Sequence, residues 1–263
     1  MSAKPLVLQY AESAVLLAGG TSGVGLASAV AFADAGVRRI ALLGRDRGRG
    51  VAARAAIAAH CPDAQVVFVA ADAGDTGQVE EAVTEAHRAI GGLDVLVSSV
   101  TTAYRPELLH RTAPDDLERI LVGQALPPML LTRAALPLMR EQVGGSIINV
   151  ASDAAKIATP GESALGAAMA AIVMFSRVAA IEAKRDGVRV NAVTPSLIEG
   201  TATADNVLRD GFSKKLFEKA AQQAHLGVAV AEDLAALIVF LGGPAAAKLT
   251  GQAISVNGGI SAA

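Results

Sequence analysis

The segment Ala18-Gly19-Gly20-Thr21-Ser22-Gly23-Val24-Gly25 sets glycines at the spacing G-x-x-x-G-x-G. Such a loop makes a tight turn, lets the backbone approach a pyrophosphate, and lets the next helix pack closely on the preceding strand. The free N–H groups and positive dipole end of that helix suit phosphate oxygens. Gly19, Thr21, Ser22, Gly23, Val24 and Gly25 are therefore candidate cofactor-binding residues. The next apolar run ends at Leu43 and is followed by Gly44-Arg45-Asp46-Arg47. An acid at the place of Gly44 would accept from a ribose 2′-OH, whereas an arginine accommodates a 2′-phosphate. Arg45 thus favours NADP(H) over NAD(H). Asp46 is read either as a ribose ligand or as a helix N-cap.

Candidates for proton chemistry are few. Ser152 closes the run Asn149-Val150-Ala151-Ser152, and Asp153 beside it either polarises the hydroxyl or caps the chain. Glu162 stands where a long helix begins, as a titrating acid or as a charge favourable to a helix N-terminus. Tyr104 follows a strand by a few residues and is the tyrosine with a route to the pocket; Tyr10 reads as structural. Lys156, in the loop after Ser152, either faces substrate or cofactor or, the favoured reading, is a solvated lysine. His60, His87, His110 and His225 have no ligand spacing, so no metal site is expected.

These residues need a frame. Short apolar runs occur at Ala14–Ala18, Arg39–Leu43, Gln65–Ala70, Asp94–Val97, Ser146–Val150, Val188–Val193 and Ala253–Val256. They are continuous rather than alternating, as in parallel strands buried on both faces. Helical stretches separate them: about Val24–Ala35, Gly50–His60, Gly77–Ile90, Asp115–Arg140 with an interruption at Pro127-Pro128, Ser163–Lys184, Ser213–His225 and Ala231–Leu241. The alternation predicts an α/β fold: a doubly wound parallel sheet of about seven strands with helices on both faces. The 263 residues read as one domain, 1–263, without an internal linker.

Composition narrows the function. Apolar residues make up 52% and the net charge is −2, so neither a nucleic-acid field nor a polybasic membrane patch is present. The segment Ser163–Ala183 is apolar almost all round but carries Arg177 and Glu182, which fits a buried helix better than a span. Its second apolar face predicts a homo-oligomer. Met1–Glu12 lacks a targeting pattern, and a cytoplasmic setting is expected.

Taken together, the glycine turn, Asp72, the stretch Arg189-Val-Asn191-Ala-Val-Thr-Pro195 and the ending Leu249-Thr-Gly-Gln252-Ala-Ile-Ser-Val-Asn257-Gly-Gly259 resemble the short-chain dehydrogenase/reductase family over essentially the whole chain. The resemblance implies an NAD(P)-binding Rossmann domain, a small-molecule carbonyl or alcohol substrate, a homotetramer or homodimer, and a variable substrate lid at about 197–219. It assigns Asp72 and its neighbour Ala73 to the adenine side, Ser99 to the strand-end motif, and Pro195 and Ile198 to the nicotinamide border.

The family's catalytic pattern departs here. A tyrosine is expected about 13 residues after Ser152 and a lysine four later; those places hold Leu165 and Met169. In the related enoyl reductases the tyrosine precedes the lysine by six intervening residues, which is the place of Glu162. Asn-Asn-Ala-Gly becomes Ser98-Ser99-Val100-Thr101, and the helix asparagine becomes Gln124. A family threonine falls on Gly200, with Thr201 next. The expectation is an NADP(H)-dependent oxidoreductase with a non-standard proton donor drawn from Tyr104, Glu162 and Ser152. The alternatives are an inactive NADP(H)-binding sensor or partner subunit, and a non-redox lyase or isomerase.

Overall fold

A computed structural model describes residues 8–209 and 211–262. Residues 1–7 of the expected leaderless N-terminus lie outside the described residues. Seven strands form one parallel sheet: β1 (Ala14–Ala18), β2 (Arg39–Gly44), β3 (Gln65–Ala70), β4 (Val95–Ser98), β5 (Gly145–Val150), β6 (Val188–Pro195) and β9 (Ala253–Val256), in the order β3-β2-β1-β4-β5-β6-β9. Register pairs such as Leu16↔Leu96 and Ile148↔Asn191 run through its centre. The order reverses direction between β1 and β4, so a crevice opens where their C-terminal ends diverge.

Helices α1 (Gly23–Asp34), α2 (Arg47–His60), α3 (Val79–Ile90), α4 (Pro114–Glu141), α5 (Ser163–Ala183) and α8 (Ala231–Gly242) cover the sheet. Alternate residues of each strand feed two apolar clusters, one per face. Leu16, Leu43, Leu96 and Ile147 meet α3 and α4, while Leu17, Leu42, Val97 and Ile148 meet α1 and α8. Both faces are buried, which is why the strands read as unbroken apolar runs.

α4 is continuous, contrary to the expected break at Pro127-Pro128. The proline φ already fits a helix, so the cost is the lost i→i−4 bonds and the crowding of each ring against the carbonyl four residues back. Both rings are buried, and Pro127 Cγ would meet a Cβ at Gly74 at 3.9 Å, so packing offsets the missing bonds. α5 is long and apolar enough to cross a membrane, yet Leu165, Ile172, Ser176 and Ala180 along it are buried within the fold. Beyond β6 the chain forms β7 (Ile198–Glu199), α6 (Ala202–Val207), α7 (Gly211–Gln223) and β8 (Ala229–Val230). β7 and β8 pair as a separate two-stranded parallel sheet, too short to be seen as an apolar run.

Candidate functional site

The glycine turn joins β1 to α1. Gly19 (φ +80°) and Gly23 (φ +49°) take left-handed backbone that other residues rarely adopt. A Cβ on Gly25 would overlap the Gly19 carbonyl oxygen and stand 2.6 Å from Ser99 Oγ. Ser99 in turn donates from its N–H (2.9 Å) and its hydroxyl (3.1 Å) to Ala18 O, locking the end of β4 onto the turn. Ser22 is the N-cap of α1, and its side chain makes no cap bond. Thr21 lies beside it, partly exposed, and Val24 is buried under the first helical turn. A cradle that any Cβ would fill, at the open end of a 12-residue helix, fits a dinucleotide pyrophosphate. Thr201 reaches this cradle from the segment after β7: its Cγ2 would meet a Cβ on Gly23 at 3.8 Å.

At the end of β2, the two readings of Asp46 are resolved. Its Oδ1 accepts from Arg49 N at 3.0 Å, so it is the N-cap of α2, and that bond holds its pKa below the usual carboxylate value. Arg45 Nη1 stands 3.6 Å from Asp72 Oδ2, both side chains largely in water. Asp72 also accepts from Gly74 N at 2.9 Å, which fixes the loop, and Ala73 beside it is buried in the core.

The other edge of the crevice is built by side chains. Ser152, at the end of β5, accepts from Ala154 N at 3.2 Å as cap of the 3-10 turn Asp153–Ala155. Leu165 and Met169 lie one helical turn apart on α5 and pack with Tyr104, Ala151 and Ile172 in one apolar cluster. Gln124 is fully enlisted by the loop after β4: it donates to Thr102 O at 3.0 Å and accepts from Thr101 Oγ1 at 3.2 Å. Ser98 Oγ and Asn149 Oδ1, paired across β4 and β5, have no hydrogen-bond partner among the described residues. Pro195 closes β6, and Ile198 opens β7, its carbonyl accepting from Thr201 Oγ1 at 2.9 Å.

Tyr104 is nearly buried, and its hydroxyl donates to Gly161 O at 2.6 Å. Burial, then the Glu162 carboxyl, raise its pKa above the ordinary phenol value. Glu162, the N-cap of α5, is 8% exposed. Burial pushes its pKa up to about 7, against the opposing pull of a hydrogen bond from Thr159. Tyr104 and Glu162 are thus brought together at the start of α5, while the Ser152 hydroxyl is engaged by Ala154 N on its own turn.

Lys156 corrects an expectation. It is not a solvated lysine: Nζ donates to Ser255 Oγ at 2.6 Å and stands 3.9 Å from Asp153, with a side chain 14% exposed. Burial lowers its pKa. Asp153 also accepts from Ser255, Asn257 and Ser261. This network escaped sequence reasoning because its halves lie about 100 residues apart, and only the polar ending at Asn257 hinted at it. Among the described residues, no group of three or more His, Cys, Asp or Glu side chains is placed to hold a metal ion. His60 instead pairs with Asp34 at 2.8 Å on the surface.

Residues 18–261 match a family model described as enoyl-(acyl carrier protein) reductase. An uncharacterized oxidoreductase of Mycobacterium tuberculosis is 33% identical over 251 residues, covering 95% of this chain and 92% of its own length. The 2-(S)-hydroxypropyl-CoM dehydrogenase 3 of Xanthobacter autotrophicus is 31% identical over 94% of this chain and 96% of its own. The crystal structure of levodione reductase superposes with a TM-score of 0.88 at 27% identity, covering 94% of this chain and 96% of that one. Sheet order, glycine turn and these matches agree, and the chain belongs to the short-chain dehydrogenase/reductase family.

Proposed function

We propose that the chain is an NADP(H)-dependent oxidoreductase acting on a small carbonyl or alcohol, in which Glu162 handles the proton. The observation that carries this is a buried carboxyl with its pKa near 7 at the start of α5. Such a group is present in both protonation states at neutral pH, as a general acid for reduction and a base for oxidation require. Its place supports the reading, since the enoyl-type spacing puts a tyrosine at 162. Tyr104 is support rather than donor, because its proton is committed to Gly161 O.

Bound NADP(H) would supply or accept the hydride. Gly19, Thr21, Ser22, Gly23, Val24 and Gly25 would hold its pyrophosphate, with Asp72, Ala73 and Ser99 toward the adenosine half and Pro195 and Ile198 toward the nicotinamide. Arg45 would meet the 2′-phosphate; supporting this, the Asp46 carboxylate is engaged as a helix cap and Gly44 brings no acid. Ser152 would orient the substrate oxygen. Leu165 and Met169 would line an apolar floor that excludes water.

The proposal takes residues 1–263 as one nucleotide-binding unit with the lid at about 197–219, working in the cytoplasm. It also takes a second copy as the partner. Met174, Val178 and Ile181 form an exposed apolar stripe on α5, and Leu121 and Val122 of α4, the helix packed against it, are exposed as well. A dimer or tetramer would cover it.

The test is fluorescence titration with NADPH and NADH, followed by a carbonyl panel assayed with the wild type and Glu162→Gln. NADPH is expected to bind more tightly, and the variant to lose about 10²–10⁴-fold in turnover. Full turnover by Glu162→Gln would sink the assignment. A second reading, a cofactor-binding protein without turnover, is favoured by the tight packing of Leu165 and Met169 where the family pair would stand. Tight NADPH binding with no turnover on any carbonyl would select it.

A further inference from the structure

The segment between Gly200 and Gly227 folds partly on itself. Ala204, Val207, Leu208, Phe217 and Ala221 pack with Leu197 and Val228 in a cluster separate from those of the sheet. Gly200 (φ +72°) and Gly227 (φ +97°) bracket it in left-handed backbone, and a Cβ on either would have nothing within 4 Å. β7 and β8 pair at its base.

This lid meets the loop after β4 at two polar points. Asn206 Nδ2 donates to Tyr104 O at 2.8 Å, and Arg105 Nε donates to Ser213 Oγ at 3.4 Å. It also meets Gly161, where a Cβ would stand 2.6 Å from Phe212 Cε1. On its other side, the Gly161 carbonyl accepts from the Tyr104 hydroxyl at 2.6 Å and from Glu107 N at 3.1 Å. Tyr104 is therefore gripped by the lid through its backbone, and grips the residue before Glu162 through its side chain.

We infer that Tyr104 is a positioning residue that couples the lid to Glu162, so that the carboxyl is enclosed only while Asn206 holds the lid shut. The inference rests on the reading of Glu162 as proton donor and adds a control to it. With the latch made, Gly161 is pinned between Phe212 and Tyr104, and the first turn of α5 is fixed. With the latch open, Tyr104 is released, water reaches the carboxyl, and its proton is lost. A substrate that fits under the lid thereby sets the protonation state that its own reduction needs.

The charged groups around the junction do not account for the state of Glu162. Arg105, Glu107 and Arg111 of the loop and Asp116 and Arg119 of α4 line a cavity with Gly161 and Ser163, and Asp116 is paired with Arg119 at 2.7 Å. Asp153 and Lys156, on the 3-10 turn packed against α5, are paired with each other at 3.9 Å. On the lid, Lys214 pairs with Glu218 at 3.7 Å. Burial is the leading cause of the Glu162 shift, and burial is what the latch controls.

The test uses Tyr104→Phe, which keeps the ring and removes the hydroxyl, and Asn206→Ala, which leaves Tyr104 whole. Glu162 is titrated by ¹³C NMR of side-chain-labelled glutamate, assigned by its loss in Glu162→Gln. Lid opening is followed by hydrogen exchange of the amides in 202–207. Both variants are expected to bring the Glu162 midpoint down from about 7 by at least about one unit, and Asn206→Ala to speed exchange in the lid. An unchanged midpoint in both variants overturns the coupling, whether or not lid exchange rises. Loss of the catalytic assignment alone has a different signature: Glu162→Gln keeps its turnover while the midpoint still moves, because the titration is read without substrate.

Discussion

At the glycine turn, geometry is set by atoms that are missing. Gly25 has no room for a Cβ against Gly19 and Ser99, and two backbone bonds to Ala18 and Leu43 hold the loop. At the start of α5, on the opposite edge of the crevice, geometry is set by side chains borrowed from elsewhere. Tyr104 comes from the loop after β4, Asn206 from α6 and Phe212 from α7. The first edge is rigid and carries a recognisable spacing. The second is assembled from three chain segments and can be rebuilt one side chain at a time.

Four changes would break or sharpen this contrast, in order of expected effect. Leu165→Tyr combined with Met169→Lys would rewrite the side-chain edge in the family's terms. In the Glu162→Gln background, where the proposed donor is absent, a gain of about 10²–10⁴-fold in reduction rate is expected, with overpacking costing about 1–3 kcal/mol of stability, checked by NADPH oxidation and by Tm. An unchanged rate with intact NADPH binding would mean that more than the proton donor has been rewritten.

The second change concerns pH. Glu162 titrates near 7 in the fold against an ordinary 4.5, so the fold favours its protonated form. That stabilisation is full below about pH 4.5 and is lost as pH rises toward 7. Relative to Glu162→Gln, the wild type should lose roughly 3 kcal/mol between pH 4 and pH 8, measured by urea unfolding. Parallel curves for the two proteins would place the carboxyl in water.

Third, Gly25→Ala tests the rigid edge. The new Cβ collides with backbone rather than with a yielding side chain, and NADPH affinity should fall roughly tenfold to a hundredfold in calorimetric titration. Fourth, Gly44→Asp puts an acid beside Arg45. NADPH should weaken relative to NADH by about 1 kcal/mol, a change of roughly fivefold. An unaltered preference would remove the β2–α2 loop from cofactor choice.

The sheet was legible because parallel strands buried on both faces leave unbroken apolar runs, as in Leu16-Leu17 and Ile147-Ile148. The glycine turn was legible because its constraint lies within eight residues. α4 was misread where prolines usually break helices, since the compensating burial against the loop at Gly74 comes from a distant segment. Glu162 was visible as a candidate, but its burial was not, because the residues that meet beside it at Gly161, Tyr104 and Phe212, come from distant segments. Lys156 failed in the same way: nothing near it in the chain announces Ser255.

The bonds from Asp153 to Ser255, Asn257 and Ser261 tie the far end of the chain to the turn that carries Ser152. A purification handle fused just beyond Ser261 would therefore tug on the candidate site itself. Slow turnover in such a fusion would report the handle, so rates should be compared with a version tagged elsewhere or cleaved free.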